Sequence, residues 1–177
     1  MSEGIDYGPF TGLIGEWSGD SGLDVSPEPE QSAENPYFES LMFEAIGDVE
    51  NAEEQELVCL RYHQVVTRKR GPKVFHNETG YLMWHSETGQ IMQSLTIPRG
   101  VALVAWGQAQ QIDNGWQLTW DQAEIAQSPY MREHASTLDF SHVITIEGDV
   151  LKYSEAMTIE IYGKTYRHTD ENTLKRV

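Results

Sequence analysis

Apolar and polar residues alternate with period two along most of this chain, as in strands with one face in a core and the other in water. The run Trp116-Gln117-Leu118-Thr119-Trp120-Asp121 shows it most cleanly. Val143 to Ile146, the turn Glu147-Gly148-Asp149 and Val150 to Tyr153 read as a hairpin. Met157 to Tyr162 and Thr165 to His168 read as another, joined at Gly163-Lys164. Trp84 and Ile91-Met92 flank a polar loop containing Gly89. Tyr37 to Ile46, Leu57 to Val66 and Val101 to Trp106 are rich in β-branched and aromatic residues, and Ala135 to His142 is expected to be a strand too. A helical turn is expected around Pro9 to Ile14.

The pattern therefore predicts an all-β chain of about ten short strands, roughly 8–15 residues apart, in a single domain over residues 1–177. Such spacing gives a sandwich or an up-and-down antiparallel β-barrel, and the barrel, which removes exposed edges, is the fold class expected. No strand–helix–strand spacing occurs, so doubly wound folds are excluded. Ten staves enclose more space than side chains fill, so an internal cavity is expected. Ser26 to Pro36, with three prolines and little to bury, reads as a Pro/Glu-rich surface loop within the domain.

Charge narrows the partners. The net formal charge is -16, and residues 1–60 hold 15 of the 28 acids and no Lys or Arg. Such a chain repels phosphate backbones and anionic membranes, so nucleic acid and membrane surfaces are not expected partners. No apolar run is long enough for a transmembrane helix, and no secretory leader is visible at Met1 to Asp6. The single cysteine, Cys59, excludes an internal disulfide, so the cytoplasm is the expected compartment. The acidity neither requires nor prevents a homodimer.

Familiar catalytic motifs are missing. The six histidines form no His-x-His or His-Glu-x-x-His pair, and no Gly-x-Ser-x-Gly elbow or P-loop occurs. Cys59, within Leu57-Val58-Cys59-Leu60, reads as a buried thiol. An acid–base enzyme would need groups such as His63 and Glu44 inside the cavity.

Three stretches carry a more specific signal. They are Gly15-x-Trp17-x-Gly19 with Ser21-Gly22 after it, Phe75-His76-Asn77-Glu78-Thr79-Gly80-Tyr81, and His168 followed by Thr173-Leu174-Lys175-Arg176. In order and spacing they resemble the nitrobindin-like haem-binding barrels, relatives of the fatty-acid-binding-protein fold. The resemblance covers nearly the whole chain. It departs at Ser21, where the family has a third Gly, at Phe75, where it has Met, and in a C-terminal stretch one residue longer. The resemblance implies haem b held through His168 as the iron ligand, with the opposite position open to nitric oxide or a peroxynitrite-like oxidant. Peroxynitrite isomerisation enters only through this resemblance. It also implies that Met157 and Phe75 line the pocket and that His76 faces a distal ligand or a propionate. A haem requires cations for its propionates, and Arg99 is the candidate. The alternative is a carrier of a fatty acid or another small apolar ligand, with Arg99, Arg61 or an interior Tyr pairing the carboxylate.

Overall fold

The computed structural model describes residues 4–51, 55–71 and 73–177. A 3-10 turn at Gly8–Leu13 precedes β1 (Gly15–Pro27), β2 (Ser32–Asn51), β3 (Gln55–Arg68), β4 (Val74–Trp84), β5 (Gln90–Ile97), β6 (Val101–Ile112) and β7 (Gly115–Gln127). After them come the short helix α1 (Pro129–His134), the two-residue β8 (Ser136–Thr137), β9 (Ser141–Glu147), β10 (Val150–Ile161) and β11 (Lys164–Arg176). Each long strand pairs antiparallel with its sequence neighbours, β7 passes directly to β9, and β11 closes on β1. The result is a closed ten-stranded antiparallel barrel, with β8 attached to β10 outside the ring. Closure leaves no long edge to pair with another chain.

The barrel has an apolar end and a polar end. At the apolar end Phe10 and Leu13 of the 3-10 turn are fully buried with Trp17, Leu60, Leu82, Ile91, Leu118, Leu151 and Leu174. Trp17 Nε1 donates to the Leu13 carbonyl at 2.7 Å. Arg176 fastens the same turn from β11, donating to the carbonyls of Ile14 (2.7 Å) and Gly12 (2.8 Å) while its guanidinium lies over the Trp17 ring. Towards the other end the inward positions turn polar, in the order Leu151, Tyr153, Glu155 on β10 and Leu174, Asn172, Asp170, His168 on β11.

Two segments differ from the sequence expectation. The stretch Ser26 to Pro36 is mostly hairpin: Ser26 pairs with Ala33 and Pro27 with Ser32, leaving only Glu28 to Gln31 as the turn. Proline removes a donor but keeps an acceptor, and the Pro36 carbonyl receives the Lys69 N–H at 3.1 Å. Ala135 to His142 is not one strand. Only Ser136–Thr137 pairs before β9 opens at Ser141, and α1 precedes them. The α1 signal was in the sequence as Ser128-Pro129: the Ser128 hydroxyl accepts from Met131 N–H at 3.2 Å, and Pro suits the first helical position.

Candidate functional site

A bulge in β1 builds the site. Pairing with β2 shifts between Gly19 and Gly22, so the buried positions change parity from Trp17 to Gly22 and Asp24. This turns Asp24 inward. A second shift, between Val66 and Thr67 of β3, lets the adjacent residues Phe75 and His76 of β4 line the same cavity. That cavity, about 130 Å³, lies at the polar end and is lined by Asp24, Tyr37, Phe75, His76, Glu155, His168 and Asp170 among others.

His168 is clamped. Its Nε2 lies 2.8 Å from Asp24 Oδ1 and 3.0 Å from Asp170 Oδ2. Burial opposes the imidazolium, but the hydrogen bonds and charges of Asp170 and Asp24 prevail and raise its pKa to about 10. Asn35 holds the far side of Asp24, donating from Nδ2 to Oδ2 at 3.0 Å. Glu155 sits directly opposite Asp170 in the β10–β11 ladder. Burial, with the charges of Glu78 and Asp170, pushes its carboxyl well above the usual range.

Beneath the cavity lies a floor of hydrogen bonds. Glu39 accepts from Gln64 (2.7 Å), Tyr153 (2.8 Å) and Asn172 (2.7 Å), and the Tyr37 and Tyr153 hydroxyls are 2.7 Å apart. Desolvation raises the Glu39 pKa and those of both phenols. A second chain runs from the His142 Nδ1–H to Gln93 Oε1 (3.0 Å), from Gln93 Nε2 to Tyr62 Oη (2.9 Å) and from Tyr62 to Glu78 Oε1 (2.6 Å). His76 Nε2 meets the other Glu78 oxygen at 3.3 Å. Buried polar groups must be partnered, and this floor partners nearly all of them.

The structure thus brings together His168, His76, Phe75 and Arg99 at one cavity. Arg99 donates from Nη2 to the Phe75 carbonyl at 2.6 Å, and the Arg68 guanidinium lies over the Phe75 ring. Met157 pairs with His168 across the ladder and packs against the core. Other expectations fail. His63 is exposed, bonded to Asn77 at 3.0 Å, and Glu44 pairs with Arg61 at the surface. Outward positions on β2 and β3 put all three beyond reach of the cavity, so neither the acid–base pair nor the Arg61 carboxylate contact survives. Cys59 is buried, and burial raises its thiol pKa. A separate concavity of about 830 Å³ is lined by β4 to β7, with exposed Tyr81 and Val104 on its wall and none of the residues named for the site.

The sequence profile of the THAP4-like, heme-binding beta-barrel domain matches residues 6–176. The chain belongs to that family. The crystal structure of Rv2717c from M. tuberculosis is similar at TM-score 0.75 and 22% identity over 97% of this chain and 99% of that one, which shows the shared fold. A Nostoc punctiforme protein of the DUF3598 family aligns at TM-score 0.27 and 10% identity, too distant to bear on the site. No curated protein matches the chain.

Set against the haem of this family, the residues divide. Phe75 supplies a wall, and Arg68 and Arg99 supply cations for propionates at the mouth. The interior does not fit. A haem ligand needs its imidazole nitrogen open to a flat macrocycle, whereas Asp24 and Asp170 stand 2.8 and 3.0 Å from His168 Nε2 and occupy that approach. The cavity of about 130 Å³ is also smaller than the roughly 300–1,000 Å³ of pockets enclosing organic ligands. Asp170 and Glu155 had a legible signal that sequence reasoning passed over: Glu155 lies in the apolar phase of Leu151-x-Tyr153-x-Glu155-x-Met157, and Asp170 lies two residues from His168.

Proposed function

We propose that this protein is a ligand-binding barrel whose polar-end cavity takes a small positively charged ligand in place of a His168-ligated haem. One observation carries the reading: the carboxyl groups of Asp24, Asp170 and Glu155 line a single cavity, with the His168 imidazole between the two aspartates and Arg68, Arg99 and His76 also on its lining. Enclosed like charges repel, and an entering cation relieves that repulsion. The same acids oppose a fatty-acid carboxylate, so the carrier reading loses support.

A second reading keeps haem b, with its sixth position free for nitric oxide or a peroxynitrite-like oxidant. The rim of Arg68, Phe75 and Arg99 favours it. Hemin titration of the wild type beside His168→Ala separates the two. The cation reading expects no saturable Soret shift that depends on His168, and such a shift would overturn it. Thermal-shift measurements extend the comparison: divalent and organic cations should raise Tm, and long-chain carboxylic acids should not.

A further inference from the structure

We infer that Asp24, His168, Asp170 and Glu155 form a site for one divalent transition-metal ion of the manganese, iron or zinc class. The inference rests on the cation reading and names its ligand. It begins with geometry. One ligand atom each from Asp24, His168 and Asp170 lies within 4.8 Å of the others. Neighbouring donors bound about 2.1 Å from one metal stand about 3 Å apart, and Nε2 lies 2.8 and 3.0 Å from the two carboxylate oxygens. The three residues come from adjacent staves, β1 and β11, and Asp24 pairs directly with Asp170.

The fourth residue is an independent observation. Glu155 points into the barrel at a partly exposed position and lines both this cavity and the small void beneath it. It is absent from the hydrogen bonds that satisfy Glu39 and Glu78, and among the described residues its side chain has no hydrogen-bond or ion-pair partner. Its register opposite Asp170 puts it on the face that carries the three other ligands.

Charge and ligand chemistry agree. The basic groups facing the cavity are His168 inside and Arg68, Arg99 and His76 nearer the mouth, and Arg68 and Arg99 are engaged with Phe75. Three carboxyl groups and one imidazole are an oxygen-rich set with a single nitrogen, which suits manganese, iron or zinc. Binding replaces the proton on His168 Nε2 and the proton on the Glu155 carboxyl and releases both to solvent, so atoms and charge balance without any redox partner. Asn35 on the outer oxygen of Asp24 is the kind of supporting contact that orients a ligating carboxylate.

The test uses chelator-stripped full-length protein. Mn2+ is titrated with electron paramagnetic resonance reading the free aquo ion, and Zn2+ is titrated by calorimetry. One ion per chain is expected. Asp24→Asn, Asp170→Asn and Glu155→Gln should each weaken binding about 10- to 100-fold. Glu44→Gln, at a surface carboxylate, should leave it unchanged. Glu155→Gln removes no hydrogen bond, so it keeps the test decisive should an Asp variant misfold, which circular dichroism would reveal. Absence of saturable binding, or equal affinity in wild type and Glu155→Gln, would overturn the metal site. A negative metal titration with no hemin signal removes the metal alone and leaves the cation cavity. A His168-dependent hemin signal removes the cation reading itself.

Discussion

Gly22 shows how little separates this site from a different one. A Cβ at this position would stand 2.0 Å from the Tyr37 ring. The ring can therefore reach the Tyr153 hydroxyl only because residue 22 has no side chain. Gly22→Ala should force Tyr37 away from Tyr153 and cost about 2 kcal/mol, read as a lower urea midpoint with an unchanged m-value. An unchanged midpoint would show that the ring yields freely. His142 tests the floor by pH. It is fully enclosed beside Trp120, Phe140, Tyr153 and Gln93, and burial lowers its pKa to about 4, against a weaker upward pull from Glu78. The unfolded chain therefore binds the proton that the folded chain refuses. The stability is present above about pH 6.5 and is lost as pH falls toward 4, by roughly 3 kcal/mol. In His142→Gln that acid limb should flatten, so the stability gap between wild type and variant narrows from pH 7 to pH 4. Parallel pH profiles would refute this origin.

At the scale of elements, the hairpins were legible because their turns are local. Gly148 (φ 58°) and Gly163 (φ 69°) sit where the sequence placed turns, although the second turn begins one residue early, at Tyr162 (φ 54°). Tyr162 is the one non-glycine residue with positive φ among the described residues, and it is about half exposed. Asparagine tolerates this backbone better than tyrosine. Tyr162→Asn should therefore stabilise the β10–β11 hairpin by about 0.5–1 kcal/mol, measured by urea denaturation, and a loss of stability would mean that the exposed ring packs usefully. The boundaries of β1 and β2 were not legible, since proline content reads as loop although the prolines still accept ladder bonds. Helix α1 was missed because a six-residue helix gives too short a period to stand out.

For the whole molecule, barrel, closure and cavity follow from strand count and spacing, and His168, His76, Phe75 and Arg99 do meet at one cavity. What sequence alone could not place is Asp24, because the β1 bulge reverses which of its residues face inward and only the structure shows where parity changes. Charge is the remaining property at this scale. The described residues between Gly15 and the first cation, Arg61, form β1, β2 and the start of β3, so much of the acid excess lies on neighbouring staves. Glu16, Asp20, Glu34 and Asp48 are exposed there. The surface pairs Arg61–Glu44, Arg167–Asp139 and Arg176–Asp149 each contribute less than about 1 kcal/mol and weaken with salt. Repulsion within a chain of net charge -16 acts in the opposite sense and over more pairs. The screening length falls from about 30 Å at 0.01 M to about 3 Å at 1 M, so salt relieves the long-range repulsion while removing only a few weak attractions. Repulsion therefore wins, and the urea midpoint should rise steadily from 0.01 to 0.5 M NaCl, and equally in KCl. A midpoint that falls with salt would mean that the ion pairs, not the excess acids, set the electrostatic stability of the barrel.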